Sequence, residues 1–135
     1  MNKSILLSFD VEEFDMPLEY EFPITITEQM ALGMEGLQAI DPVLNYPGIV
    51  STLFTTANFA DYFPSQIVEL SKKHEIASHT YFHSQFENKD LLDSKLKLEE
   101  LTGKTIKGLR MPRMKTIEGK IIAQAGYQYD ASIHP

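Results

Sequence analysis

The chain has 135 residues, enough for one domain around one core, and its 43% hydrophobic and 23% charged residues exclude an extended disordered chain. A formal charge of −7 repels phosphate backbones and argues against a nucleic-acid partner. There is no cysteine, which excludes disulfides, thiolate metal sites and a cysteine nucleophile, so any metal falls to histidine and carboxylate ligands.

Taken in chain order, Ile5–Phe9 reads as a short buried strand ending at Asp10. That apolar run is too short for the core of a signal peptide, no small-residue cleavage pattern follows it, and no stretch is long enough to span a bilayer. A cytoplasmic location is therefore expected. Residues 11–26 form a long connection rich in acids, aromatics and proline, of a length that often carries function. Thr27 is the expected cap of a helix whose apolar face runs Met30, Met34, Leu37, Ile40, with a turn at Asn45–Gly48. Ile49–Thr56 is β-branched and aromatic and predicts a second strand. Phe59–Lys73 is expected to be helical and Glu75–Ser78 a third strand. Asp90–Leu101 has the pattern of an amphipathic helix stopped by Gly103. Ile106–Leu109 predicts a fourth strand, Thr116–Ala125 a helix ended by Gly126, and Tyr127–Ala131 a fifth strand. Alternating strands and helices predict an α/β fold with parallel strands, whose chemistry gathers at the C-terminal strand ends. Asp10, His79, Arg110 and Asp130 all stand at or just past such ends.

Four segments carry candidate chemistry. His79 and His83 are four apart, the spacing at which two imidazoles share one helical face, and imidazole suits a zinc site built of three protein ligands and a water. In Ser8-Phe-Asp-Val-Glu-Glu13 an extended backbone turns Asp10 and Glu12 the same way, so that one acid can ligate while its neighbour serves as base to a metal-bound water. In Gly108-Leu-Arg-Met-Pro-Arg113, Arg110 is placed to hold a carboxylate bidentately or to bind substrate. Gly126-Tyr-Gln-Tyr-Asp-Ala-Ser132 is, on its own, a structural strand start. Each segment alone is better explained by an ordinary loop, ion pair or packed histidine; their order is the informative feature.

Together these residues resemble the polysaccharide deacetylases of carbohydrate esterase family four, the NodB-homology fold. The family's H-[S/T]-x-x-H motif is fitted by His79-Thr-Tyr-Phe-His83, its R-x-P by Arg110-Met-Pro112, and its Y-x-Y-D-x-S region by Tyr127–Ser132. The resemblance implies a partial distorted (β/α) barrel with parallel strands. It makes Asp10 the general base, His79 and His83 metal ligands, Arg110 the residue that orients the base, and Pro112 and Tyr81 groove residues on the substrate side. The family's usual adjacent aspartates are replaced here by Asp10-Val-Glu12, which matches a variant acid-x-acid branch and implies Glu12, rather than Glu13, as the third ligand. The glycine that usually follows R-x-P-x is Met114.

The resemblance implies a divalent metal, zinc first, and removal of N-acetyl groups from an amino sugar or polysaccharide, with hydrolysis of cyclic ureides as a related alternative. Family barrels are longer, so residues 1–135 are expected to be the N-terminal portion of a catalytic domain, truncated after the fifth strand. The family's general-acid histidine has no counterpart, His134 coming too early in the chain. A piece of this kind is expected either to be inactive while still holding metal or sugar, or to work only in part. Its free strand edges are expected to favour a homodimer.

Overall fold

The computed structural model describes residues 4–133; His134 lies outside them. Five parallel strands form one sheet in the order β1-β2-β3-β4-β5: Leu7–Val11, Ser51–Thr55, Glu75–Ser78, Gly108–Leu109 and Tyr129–Asp130. Sequential order in an all-parallel sheet is the winding of a (β/α) barrel, without the reversal of a doubly wound sheet. The partial-barrel expectation is met.

Helices connect the strands. A 3-10 helix spans Met16–Tyr20, then come α1 (Ile26–Ala39), α2 (Asp41–Leu44), α3 (Ala57–Tyr62), α4 (Pro64–Ser71), α5 (Lys89–Thr102), a 3-10 turn at Pro112–Met114 and α6 (Gly119–Gln124). The helices cover the face of the sheet that presents Phe9, Val11, Leu53, Ile76 and Leu109. There Met30, Leu37, Phe59, Ile67, Leu91 and Leu98 complete the core. The opposite face presents Ser8, Thr52, Phe54, Glu75, Arg110 and Tyr129 and lines an open cavity of about 530 Å³. Among the described residues no helix is long and apolar enough to cross a membrane.

Several boundaries differ from the sequence expectation for local reasons. Helix α1 is capped by Thr25, two residues before Thr27, through a reciprocal capping box with Glu28. It ends at Ala39, and a separate short helix with Pro42 in its first turn follows. The helical stretch 59–73 is two helices, divided at Phe63-Pro64, because proline lacks the N–H that would continue the ladder. Strands β4 and β5 are two residues each, shorter than expected. The largest correction concerns the histidine pair. Residues 79–88 are not helical, and Thr80 between the histidines takes a left-handed backbone, φ 63°.

Candidate metal centre

Strand β1 ends at Val11 and delivers Glu12 and Glu13 to the C-terminal rim of the sheet; β3 delivers His79 to the same rim, directly after Ser78. The loop beyond then doubles back. Thr80 donates its amide to Ser78 Oγ (3.1 Å) and its hydroxyl to the Phe82 carbonyl (2.9 Å), and accepts the Ala57 amide (3.1 Å). These bonds hold a β-branched residue in a left-handed conformation that costs roughly 1–2 kcal/mol. The fold thus achieves in a loop what the four-residue spacing would have given a helix: the two imidazole rings lie near-parallel with centroids 5.6 Å apart.

Glu12 Oε2 lies 2.9 Å from His79 Nε2 and 3.3 Å from His83 Nε2, and one ligand atom from each of the three residues lies within 4.8 Å of the others. Each ring's other nitrogen is engaged. His79 Nδ1 is 2.7 Å from the Arg110 carbonyl, and His83 Nδ1 is 2.6 Å from Asp15 Oδ1. A carbonyl and a carboxylate only accept, so in the neutral rings both protons sit on Nδ1 and both Nε2 atoms present lone pairs. Glu12 Oε2 is shut off from solvent and makes no hydrogen bond. With the rings neutral, three electron-pair donors face one another with no proton between them, an arrangement that a cation relieves. Donors bound to zinc at about 2.1 Å in tetrahedral geometry stand roughly 3.4 Å apart, close to the separations here. The donor set fits a divalent ion that takes nitrogen and oxygen ligands.

Glu13, the alternative to Glu12 in the sequence, is occupied. Its buried carboxylate accepts the Thr56 hydroxyl (2.6 Å), the Asn58 side-chain amide (3.1 Å) and the His83 backbone amide (3.0 Å). It fastens the histidine loop to the start of α3. Asp10 and Arg110 meet across the sheet. Arg110 Nη1 donates to Asp10 Oδ1 at 2.7 Å and Nη2 to Ser8 Oγ at 2.9 Å, while the guanidinium lies 4.1 Å from the Phe54 ring centre. The same residue's amide donates to the Ser78 carbonyl (2.9 Å) and its carbonyl holds His79. Residue 110 thereby ties the carboxylate of β1 to the first histidine.

Pro112 is buried at the head of the 3-10 turn, where it shapes the backbone. Arg113 and Met114 after it both have positive φ, 55° and 54°; the glycine missing at 114 would take this conformation without a Cβ penalty. Tyr81 does not join the Glu12 group: its hydroxyl donates to Asp61 Oδ2 (2.9 Å), beside Lys97. Burial, then the bond to Asp61, pushes its hydroxyl pKa up. Asp130 binds Ser132, whose hydroxyl accepts the Met111 amide at 2.7 Å, so the fourth segment anchors the Arg110 loop. Asp15, Ser84 and Arg113 surround His83 and carry no local sequence signal, because the contacts that join them span 29 to 98 positions.

No curated protein matches the sequence. Three solved structures share the fold. A Mycobacterium smegmatis protein assigned as a polysaccharide deacetylase is 26% identical, with TM-score 0.68, over 93% of this chain and 49% of that one. PuuE allantoinase is 20% identical, TM-score 0.70, over 93% and 52%. A family 4 acetyl xylan esterase from Clostridium thermocellum, solved with a cobalt ion, is 16% identical, TM-score 0.57, over 93% and 55%. The chain spans about half the length of each. Residues 2–129 match the model of the family described as polysaccharide deacetylase, and the chain belongs to that family.

Proposed function

We propose that the chain carries the metal-binding half-site of a hydrolase that removes N-acetyl groups from an amino sugar or polysaccharide, with zinc held by Glu12, His79 and His83. The observation that supports this most is the convergence of Glu12 Oε2 and the two imidazole Nε2 atoms within 4.8 Å of one another, the Glu12 oxygen having no other partner. When bound, a divalent cation activates water and draws off the negative charge that develops on the acetyl oxygen. Asp10 takes the proton of the attacking water. Arg110 holds and aims Asp10 through the 2.7 Å contact, and is itself steadied by Ser8 and the Phe54 ring. The bare β1 and β5 edges pair with a second copy of the 135-residue form.

A second reading keeps the metal and gives up turnover. Among the described residues the third histidine, His74, is buried at the start of β3, its Nδ1 accepting the Ser51 amide at 3.1 Å. Among the described residues no further imidazole stands at the strand C-termini to protonate the leaving amine.

Metal analysis of purified protein together with acetate release from N-acetylglucosamine oligomers separates the two. One equivalent of zinc and slow turnover, abolished in Asp10→Asn with metal retained, supports the hydrolase. Zinc without acetate supports the second reading, and cleavage of a cyclic ureide alone supports the allantoinase-like alternative. Protein that takes up no zinc, cobalt or manganese overturns all three.

A further inference from the structure

The two histidines are held by unequal partners. His79 donates to a neutral carbonyl, that of Arg110, whereas His83 donates to a carboxylate whose side chain is 4% exposed. A buried carboxylate is costly unless it is compensated. Asp15 is compensated by three groups: the His83 ring N–H, the Ser84 hydroxyl on its other oxygen, and the Arg113 guanidinium at 3.5 Å. Arg113 reaches further. Its Nη1 donates to the His83 carbonyl (3.1 Å), its Nη2 to Ser84 Oγ (3.1 Å), and it pairs with Glu19 of the first 3-10 helix. It does so from a left-handed backbone position, φ 55°, in the same five-residue stretch whose first carbonyl holds His79.

We propose that Asp15 and Arg113 form one positioning pair for the candidate metal centre. Asp15 fixes the tautomer and ring orientation of His83, and Arg113 holds Asp15 and the His83–Ser84 backbone in register with the Arg110 loop. Residues 110–114 then set both imidazoles at once, His79 through a main-chain carbonyl and His83 through the Arg113–Asp15 link. A carboxylate behind an imidazole makes the ring a stronger donor to a cation, and losing such a partner typically weakens metal binding about 10- to 100-fold. The inference rests on the metal-centre reading for its consequence and on the hydrogen bonds alone for its geometry.

The test has a metal-free arm and a metal arm. Nitrogen-15 correlation spectra of the metal-free protein near pH 8 report which ring nitrogen carries the proton. Both His79 and His83 are expected as Nδ1–H. Asp15→Asn is expected to move His83 toward the Nε2–H form that a free histidine side chain favours and to leave His79 unchanged. In the metal arm, competition titration with cobalt is expected to show affinity reduced about 10- to 100-fold in Asp15→Asn and severalfold in Arg113→Gln, with far-UV circular dichroism unchanged. Arg113→Lys, which keeps the charge and loses the fork, is expected to recover part of the loss. Should Asp15→Asn not fold, Arg113→Gln, altered at a half-exposed side chain, reads out both arms. Wild-type His83 found as Nε2–H, or His83 tautomer and cobalt affinity both unmoved in the variants, overturns the proposal. Wild-type protein that shows the expected tautomers and takes up no cobalt sinks the metal-centre reading and leaves the geometric pairing standing.

Discussion

Glu12 and Glu13 are adjacent carboxylates with opposite fates: one faces two bare imidazole nitrogens with no donor, the other is saturated by three donors. The family resemblance implied the first as a ligand through its acid-x-acid branch, and the sequence had no means of assigning the second, since Thr56, Asn58 and the His83 amide lie 43 to 70 positions away. Asp15 and Arg113 were illegible for the same reason: the information sits in a tertiary contact, and nothing in the local pattern encodes it. His74 shows what a histidine does outside such a centre. Its neutral Nδ1 accepts the Ser51 amide in a buried setting, and burial followed by the charge of Lys73 holds its pKa below the ordinary 6.5. The unfolded chain binds that proton more readily, so the contribution to stability is fully present above the ordinary pKa and is lost as pH falls below it toward the folded value. His74→Gln keeps an acceptor for Ser51 and does not titrate. The thermal midpoint of the wild type, measured relative to this variant, is expected to drop between pH 7.5 and pH 5; parallel curves for the two proteins would show that His74 has no part in acid sensitivity.

At the scale of elements, the five strands and their alternation with helical segments were legible because apolar patterning survives in each, and β3 and the Gly103 stop of α5 fall where the pattern puts them, whereas the four expected helical stretches are six α-helices among the described residues. The misplacements have physical causes that the sequence did contain. Thr25-x-x-Glu28 is a capping box that outcompetes Thr27, and Pro64 breaks the second helical stretch. The histidine loop is different: its left-handed Thr80 is imposed by Ser78, Ala57 and Phe82, and a β-branched residue gives no warning of positive φ. One glycine in α1 sets how that helix meets the site. A Cβ on Gly33 would sit 2.3 Å from the Glu12 carbonyl oxygen and 3.0 Å from the Phe59 ring, whereas one on Gly36 meets nothing within 4 Å. Gly33→Ala must push α1 away from the Glu12 backbone, a packing strain of about 1–3 kcal/mol. Gly36→Ala gains up to about 1 kcal/mol of helix propensity at no steric cost. Denaturant midpoints of the pair are expected to move in opposite directions, with cobalt affinity falling only in Gly33→Ala. Equal effects from both would mean that the close approach of α1 to Glu12 is unimportant.

Among the described residues the sheet is covered by helices on one face and open on the other. Parallel sheets are normally covered on both faces, and here the helices cover only the side of Leu53, Ile76 and Leu109. The other side retains polar order: Tyr129 folds over Gly108 to donate to Glu75 at 2.9 Å, Thr52 donates to the same carboxylate at 2.8 Å, and burial pushes the Tyr129 hydroxyl pKa well up. Around that network Leu6 is 94% exposed and Val50 66%. The sheet order follows from alternation of elements in the sequence; the bare face was legible only as an incomplete strand count. Among the described residues strands β1 and β5 each pair on one side alone, so their outer N–H and C=O groups are open to template further pairing. Apolar side chains beside an open edge add a driving force proportional to the area removed from water, about 25 cal/mol per Å². The 135-residue form is therefore expected to associate, and light scattering behind size exclusion should show mass rising with concentration from monomer toward dimer. Leu6→Lys with Val50→Lys places charge on that rim and is expected to return the protein to monomer while leaving cobalt affinity at Glu12, His79 and His83 unchanged, because Leu6 and Val50 stand just before the N-terminal ends of β1 and β2, whereas the metal donors follow the C-terminal ends of β1 and β3. A wild type that stays monomeric across a hundredfold range of concentration would show that the polar network of Glu75, Thr52 and Tyr129 is enough to keep the open face in water.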